Sequence, residues 1–129
     1  MAGSVGRRMR MSRRQVGDRG ERLAADYLRA RGYDIIERNF RCREGEIDIV
    51  ARQGETLVFV EVRTRRGRDF GTPEESISSL KQQRLVSLAE AYVQAHDQPN
   101  ETWRIDVVAV ELGPNGEVSR LEHIENAVS

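Results

Sequence analysis

Two acidic residues, Asp48 and Glu61, each lie in a segment that is otherwise typical of a buried β-strand. Residues 46–52 alternate in polarity, and residues 56–63 are rich in β-branched and aromatic side chains. A carboxylate within such a strand needs a partner, because burying an unpaired charge is costly. The pattern therefore predicts that these two side chains share a cation or a proton.

The residues between the two strands predict how the carboxylates face each other. Gln53-Gly54-Glu55 is typical of a tight turn, and glycine at the first central position of a two-residue loop suits a type II′ turn. This register places Asp48 opposite Glu61, with β-carbons about 5 Å apart. Paired oxygen ligands suit Mg²⁺ or Mn²⁺. Two alternatives stay open: a turn shifted by one residue would pair Asp48 with Phe59, and charges on a solvated face would never meet.

The elements that must position this pair follow from hydrophobic periodicity and turn residues. A proline and a capping-box spacing at residues 72–75 start a helix that breaks near Ser79. In chain order the predicted elements are a helix over residues 13–31, strands over 33–40, 46–52 and 56–63, a helix over 72–96, and strands over 102–112 and 117–124. This order predicts an α/β fold, a mixed sheet flanked by helices.

Length and composition predict one soluble domain over residues 13–129, preceded by a flexible basic arm over residues 1–12. No apolar run is long enough to span a membrane, and none follows the N-terminal arginines as in a secretory signal. The single cysteine, Cys42, excludes an internal disulfide. A cytoplasmic protein without a membrane partner is therefore expected.

The net charge of zero conceals two oppositely charged halves. Residues 1–68 hold 17 Arg against 10 Asp or Glu, whereas residues 69–129 hold 4 Lys or Arg against 11 acidic residues. The positive half is suited to phosphate. Mutual neutralisation of the halves within the fold explains the asymmetry equally well, so the charge alone does not decide between these two interpretations.

The strand pair also resembles a known signature. The segments GEIDIVA at residues 45–51 and FVEVR at residues 59–63 resemble the PD-(D/E)XK nucleases and, more closely, the YraN-like bacterial family of predicted endonucleases. That family is similar to archaeal Holliday-junction resolvases. The resemblance runs from about Gly17 through nearly the whole chain and implies a restriction-endonuclease-like αβββαβ core.

The resemblance implies a role for each matching residue. Asp48 and Glu61 match the catalytic, metal-binding carboxylates, and the Val62 carbonyl and Glu21 of the first helix match additional ligands of Mg²⁺ or Mn²⁺. Arg63 stands where the superfamily usually has a catalytic lysine. A guanidinium does not give up a proton, so Arg63 cannot be a general base, although it can orient water or stabilise charge on phosphate.

Further basic residues are candidates for contacts to nucleic acid. Three lie in a predicted basic loop over residues 64–71, and the fourth, Lys81, is the only lysine beside 20 arginines. The predicted nucleic-acid-binding residues are Arg65, Arg66, Arg68 and Lys81. Glu46, opposite Arg63 in the predicted register, is expected to hold that arginine in place from outside the metal shell.

The expected function is Mg²⁺-assisted hydrolysis of phosphodiester bonds in DNA, including branched or junction DNA, by a homodimer such as the resolvases form. Two alternatives belong to other classes. The first is a non-catalytic nucleic-acid-binding module with a degenerate nuclease site, which the arginine at position 63 favours. The second is a protein-interaction domain that uses the acidic C-terminal half.

Overall fold

Five strands and two helices make up the part of the chain that the computed structural model describes, which is residues 11–66, 77–96 and 102–128. In chain order they are α1 (Arg13–Ala30), β1 (Asp34–Cys42), β2 (Gly45–Gln53), β3 (Thr56–Arg66), α2 (Ser79–Ala95), β4 (Thr102–Leu112) and β5 (Val118–Val128). The strands form one sheet in sequence order. Strands β3 and β4 run parallel, and the other neighbours are antiparallel. The predicted mixed α/β order is confirmed.

The two helices cover opposite faces of this sheet. Val58 and Val60 of β3 lie in the apolar cluster that contains α1, whereas Leu57 and Phe59 lie in the cluster that contains α2. Alternate strand residues point to opposite faces, so the sheet separates two hydrophobic layers. Helix α2 is the crossover that the parallel pair β3–β4 requires. Neither helix is long and apolar enough to span a membrane.

Polar caps begin both helices. Ser12 caps α1 in a capping box with Gln15, and Ser78 caps α2 by accepting the backbone N–H of Lys81. Gly32, with φ of 91°, follows α1 as predicted. Helix α2 begins where the sequence predicted a break. The predicted cap at residues 72–75 and residues 1–10 of the predicted arm lie outside the described residues.

Strand β4 has the predicted bounds, but the other four strands are longer than predicted. Strand β1 continues to Cys42, which pairs with Gly45 across a tight turn, whereas the predicted strand ended at residue 40. Strand β3 continues to Arg66, so the prediction of a basic loop is wrong for residues 64–66. The extension follows from pairing, because Thr64 and Arg66 align with Val110 and Leu112 of β4.

Helix α1 packs closely against β3 near Asp48. A β-carbon at Gly20 would overlap the side chain of Thr64. Only glycine allows the helix backbone to come this near to the strand. The contact brings Glu21, the next residue of α1, beside the strands that carry Asp48 and Glu61.

Candidate functional site

The β2–β3 hairpin has the predicted register. Gln53 pairs with Thr56 and Ile49 with Val60, which leaves Gly54 and Glu55 as a two-residue turn. Gly54 has φ of 60°, as the first central residue of a type II′ turn requires. The shifted register, with Asp48 opposite Phe59, is excluded.

At Asp48 the regular ladder between β2 and β3 ends. The last pair in that direction joins Ile49 to Val60, and the Asp48 Oδ2 atom accepts the backbone N–H of Val62 at 2.8 Å. The strict alternation of faces also breaks here, because Ile47 lies in the α2 cluster and Ile49 in the α1 cluster. The aspartate therefore stands where β2 and β3 separate, with its carboxylate anchored to β3.

Two clefts meet at this point. The α1-side cleft, about 1090 Å³, includes Glu21, and the α2-side cleft, about 420 Å³, includes Glu61. Asp48, Glu46 and Val62 line both clefts. The site at Asp48 can therefore be reached from either side of the sheet.

Burial and neighbouring carboxylates change the acidity of Asp48. Its pKa is raised from 3.8 to about 7, chiefly because the group is desolvated and next because Glu61 is close. Glu21 and Glu46 raise the pKa further, and the hydrogen bond from Val62 opposes them. A carboxylate with this balance favours a proton or a metal cation beside it.

Glu61 is buried and has two cationic neighbours. Its Oε2 atom lies 3.4 Å from the Lys81 Nζ atom and 3.8 Å from the Arg63 Nη1 atom. The side chain of Glu61 is only 8% exposed. The negative charge of Glu61 is therefore balanced by Lys81 of α2 and by Arg63 of its own strand.

Glu21 is also buried, and it bridges α1 to β1. Its Oε1 atom accepts hydrogen bonds from Arg38 at 2.8 Å and from Asn39 at 3.0 Å. Asn39 has φ of 57°, a left-handed conformation that asparagine tolerates better than most residues. Glu21 therefore has structural partners in addition to its place beside Asp48.

The prediction that Glu46 holds Arg63 is wrong. Glu46 instead pairs with Arg41 across β1 and β2, at 3.7 Å. Arg63 lies with Arg65 in a separate groove that β3, β4 and β5 form with Glu111, Arg120 and Glu122. The pairing fails because β2 and β3 separate beyond Ile49, so the hairpin register does not extend to Glu46.

The predicted basic residues are divided among different surfaces. Arg66 lines the α1-side cleft, Lys81 lines the α2-side cleft, and Arg65 lies in the groove with Arg63. Arg68 lies outside the described residues. The α1-side cleft also contains three arginines that sequence reasoning did not assign: Arg13, Arg14 and Arg41.

The donor set at Asp48 is small but suited to Mg²⁺. Among residues 11–66, 77–96 and 102–128, no group of three or more His, Cys, Asp or Glu side chains is placed to hold a metal ion. Mg²⁺ does not need such a cage, since it keeps several waters and binds through one or two carboxylates and substrate phosphate. Asp48 and Glu61, which line one cleft, supply two carboxylates.

A second buried aspartate, Asp106, has a pKa that is shifted in the opposite direction to that of Asp48. Asp106 is fully buried, and it accepts hydrogen bonds from Arg104 at 2.9 Å, from His123 at 2.8 Å and from the Asn126 backbone at 2.9 Å. Burial raises its pKa, but the bonds from His123 and Arg104 hold the pKa below its ordinary value. Asp106 therefore has a structural hydrogen-bonding role. His123 also contacts the Tyr27 hydroxyl at 3.2 Å.

Comparison with known proteins identifies relatives that span most of the chain. A UPF0102 protein of Roseiflexus castenholzii is 54% identical over 117 residues, covering 90% of this chain and 94% of the relative. UPF0102 proteins of Symbiobacterium thermophilum and Caldicellulosiruptor saccharolyticus are 52% and 45% identical, each covering 91% of this chain and 98% and 99% of the relative. The family model described as "Uncharacterised protein family UPF0102" matches residues 20–110. This chain therefore belongs to family UPF0102.

Proposed function

We propose that this protein is a metal-dependent endonuclease that hydrolyses phosphodiester bonds in DNA. One observation carries the proposal. Asp48 and Glu61 line one cleft, and burial together with Glu61 raises the pKa of Asp48 to about 7. Strongly perturbed carboxylates in a cleft mark functional sites more often than structural ones. The motif resemblance extends the proposal to a restriction-endonuclease-like core, to branched or junction DNA and to a two-fold dimer.

Each residue has a distinct task in this proposal. Asp48, Glu61 and the Val62 carbonyl would hold Mg²⁺ or Mn²⁺, which supplies a Lewis acid and an acidified water when bound. The hydrogen bond from the Val62 backbone fixes the Asp48 carboxylate at the end of the ladder. Glu21 adds negative charge from α1 while Arg38 and Asn39 hold its position.

The α1-side cleft supports a path for the nucleic-acid backbone. Three of its four acidic residues, Glu21, Glu46 and Asp48, are buried or half-buried, and the fourth, Asp18, is exposed. Four arginines that line the same cleft are also exposed: Arg13, Arg14, Arg41 and Arg66. Arginine binds phosphate through charge and bidentate hydrogen bonds. Exposed arginines around more deeply placed carboxylates would bind the phosphate backbone of a nucleic acid while the carboxylates hold a metal ion beneath it.

The direct test is cleavage of linear, flapped and four-way DNA, with matched RNA strands, in Mg²⁺, in Mn²⁺ and in chelator. We expect cleavage of at least one DNA substrate with metal and none in chelator. Asp48→Asn should lower the rate by about 100-fold or more, since it removes charge where the metal binds. Metal-independent cleavage, or an Asp48→Asn protein as active as wild type, would refute the proposed site.

Arg63 is expected to assist the reaction without being essential. Arg63→Lys keeps a positive charge near Glu61 and should retain activity, whereas Arg63→Ala should lower it by about three- to tenfold, the range for a partly exposed supporting charge. Initial rates on the best substrate, at equal folded protein, measure both variants. An alanine variant with the wild-type rate would show that Arg63 has no part in the chemistry.

A non-catalytic nucleic-acid-binding module is the second candidate. The observation in its favour concerns position 63, where the superfamily usually has a catalytic lysine. This chain has an arginine there, and that arginine lines the groove with Arg65. Binding that weakens with salt but leads to no cleavage in either metal would support this module. A protein without DNA affinity would leave the protein-interaction alternative.

A further inference from the structure

Lys81 is the only lysine in a chain with 20 arginines, and it lies beside the candidate site. Its Nζ atom is 3.4 Å from Glu61 Oε2, and its side chain is 32% exposed. An ammonium has three donors, so contact with Glu61 leaves capacity for a second anion. Lysine and arginine are not equivalent, because an ammonium is a compact charge and a guanidinium is a planar fork.

The positions of Lys81 and Arg63 differ although both approach the same Glu61 oxygen. Lys81 lines the α2-side cleft together with Asp48, Glu61 and Val62. Arg63 lines the groove on β3, β4 and β5 and does not line the α2-side cleft. A phosphate that reaches Asp48 through the α2-side cleft would therefore meet Lys81, which lines that cleft.

The helix that carries Lys81 strengthens the attraction for an anion. Lys81 lies in the first turn of α2, where its backbone N–H donates to Ser78 Oγ at 3.1 Å. The first turn of α2 contains no acidic residue. A helix N-terminus is the positive end of the macrodipole, so a cation there is unfavourable unless an anion lies nearby. Glu61 supplies one such anion, and a phosphate would supply another.

We propose that Lys81 binds the scissile phosphate at the Asp48 end of the α2-side cleft, where this cleft meets the α1-side cleft, and holds it beside Asp48 and Glu61. This inference rests on the proposed nuclease function. In the hydrolysis a water oxygen bonds to phosphorus, the bond from phosphorus to one sugar oxygen breaks, and the two water protons pass to that sugar oxygen and to solvent. Lys81 keeps its protons throughout and stabilises the negative charge on a non-bridging phosphate oxygen.

The test compares Lys81→Met with Arg84→Met, a control that also removes one positive charge. Arg84 lies three residues further along α2 and lines the same cleft. The first readout is the single-turnover cleavage rate at saturating enzyme with Mg²⁺. The second is equilibrium binding of thymidine 5′-monophosphate with Mg²⁺, which reports the phosphate site without any turnover. Thermal unfolding of every variant verifies folding, and Lys81→Gln replaces Lys81→Met if the methionine variant fails to fold.

We expect Lys81→Met to lower the cleavage rate by about 100- to 1000-fold and to weaken monophosphate binding by about tenfold or more, as for loss of a donor to a developing anion. The Arg84→Met control should change each of the two readouts by less than tenfold, which corresponds to less than about 1.4 kcal/mol. If Lys81→Met binds the monophosphate as wild type does, or if wild type does not bind it, the assignment of Lys81 is wrong. If wild type cleaves nothing but binds the monophosphate through Lys81, the nuclease function fails while the phosphate site stands.

Discussion

Replacing Asp48 with asparagine is expected to make the metal-free protein more stable at neutral and alkaline pH. Ionised Asp48 is desolvated and is repelled by the nearby charge of Glu61, and these two effects raise its pKa from 3.8 to about 7. Each pKa unit corresponds to about 1.4 kcal/mol, so the ionised group costs roughly 4 kcal/mol at most. Asparagine removes the charge and keeps an oxygen that can accept the Val62 N–H.

The sign of the pH dependence follows from where the proton is held. Between about pH 4 and pH 7 the folded protein keeps the Asp48 proton while the unfolded chain has released it, so wild-type stability falls as pH rises through this window. Above pH 7 the cost is constant. The stability difference between Asp48→Asn and wild type should therefore be near zero at pH 4 and largest above pH 7, as measured by urea unfolding in chelator.

Adding Mg²⁺ should make wild type more stable than Asp48→Asn, which is the reverse of the order expected in chelator. Mg²⁺ bound only by the folded state stabilises wild type by mass action, and Asp48→Asn should gain much less. Glu46→Gln is the matched control, because Glu46 lines both clefts but has a smaller effect on the pKa of Asp48. An Asp48→Asn protein less stable than wild type in chelator, with an unchanged response to Mg²⁺, would mean that Asp48 is a structural residue.

Asp106→Asn should have the opposite effect on stability. The carboxylate is fully buried and bonded to Arg104 and His123, so the change removes the nearer of the two carboxylates beside half-buried Arg104, the other being Glu125 at 3.9 Å. Breaking a buried ion pair from one side costs about 3–5 kcal/mol, a large fraction of the stability of a small domain. Tyr27→Phe, which removes only the outer bond to His123, should cost about 1 kcal/mol.

The two aspartates also differ in their response to acid. Because its pKa is lowered in the folded state, Asp106 contributes stability above the ordinary aspartate range, and that stability is lost as pH falls through the lowered value. Asp106→Asn should therefore flatten the acid limb of a stability curve, whereas Asp48→Asn flattens the limb between pH 4 and 7. Equal unfolding free energies for Asp106→Asn and wild type at pH 7 would contradict the buried-network account.

Local sequence was enough to predict the hairpin and the helix order. Gly54 determined the turn and hence the pairing of Ile49 with Val60, because a two-residue loop leaves only one register. The alternation in residues 102–112 gave the bounds of β4 because that strand is buried along most of its length. These features depend on neighbours within about ten residues, where periodicity is informative.

Features that depend on distant partners could not be predicted in this way. The strand character of Thr64–Arg66 comes from pairing with β4, and the role of His123 comes from Asp106 and Tyr27, each of which belongs to another element. The error at Glu46 has a different cause. The prediction extended the hairpin register past Asp48. The ladder ends there, because the Val62 N–H donates to the Asp48 side chain and not to a backbone oxygen.

The parallel pairing of β3 with β4 also has a consequence for how the protein assembles. Thr56 pairs with Thr102, so the paired residues are 46 positions apart along the chain, whereas the β2–β3 hairpin joins near neighbours. Closing the longer loop costs more chain entropy before any contact forms, and non-local strand pairing slows folding. The hairpin should bring Asp48 towards Glu61 early, while α2 delivers Lys81 with the slower step. Like-charge repulsion would then oppose the early hairpin, so folding should be faster at acidic pH or with divalent cations than in neutral chelator.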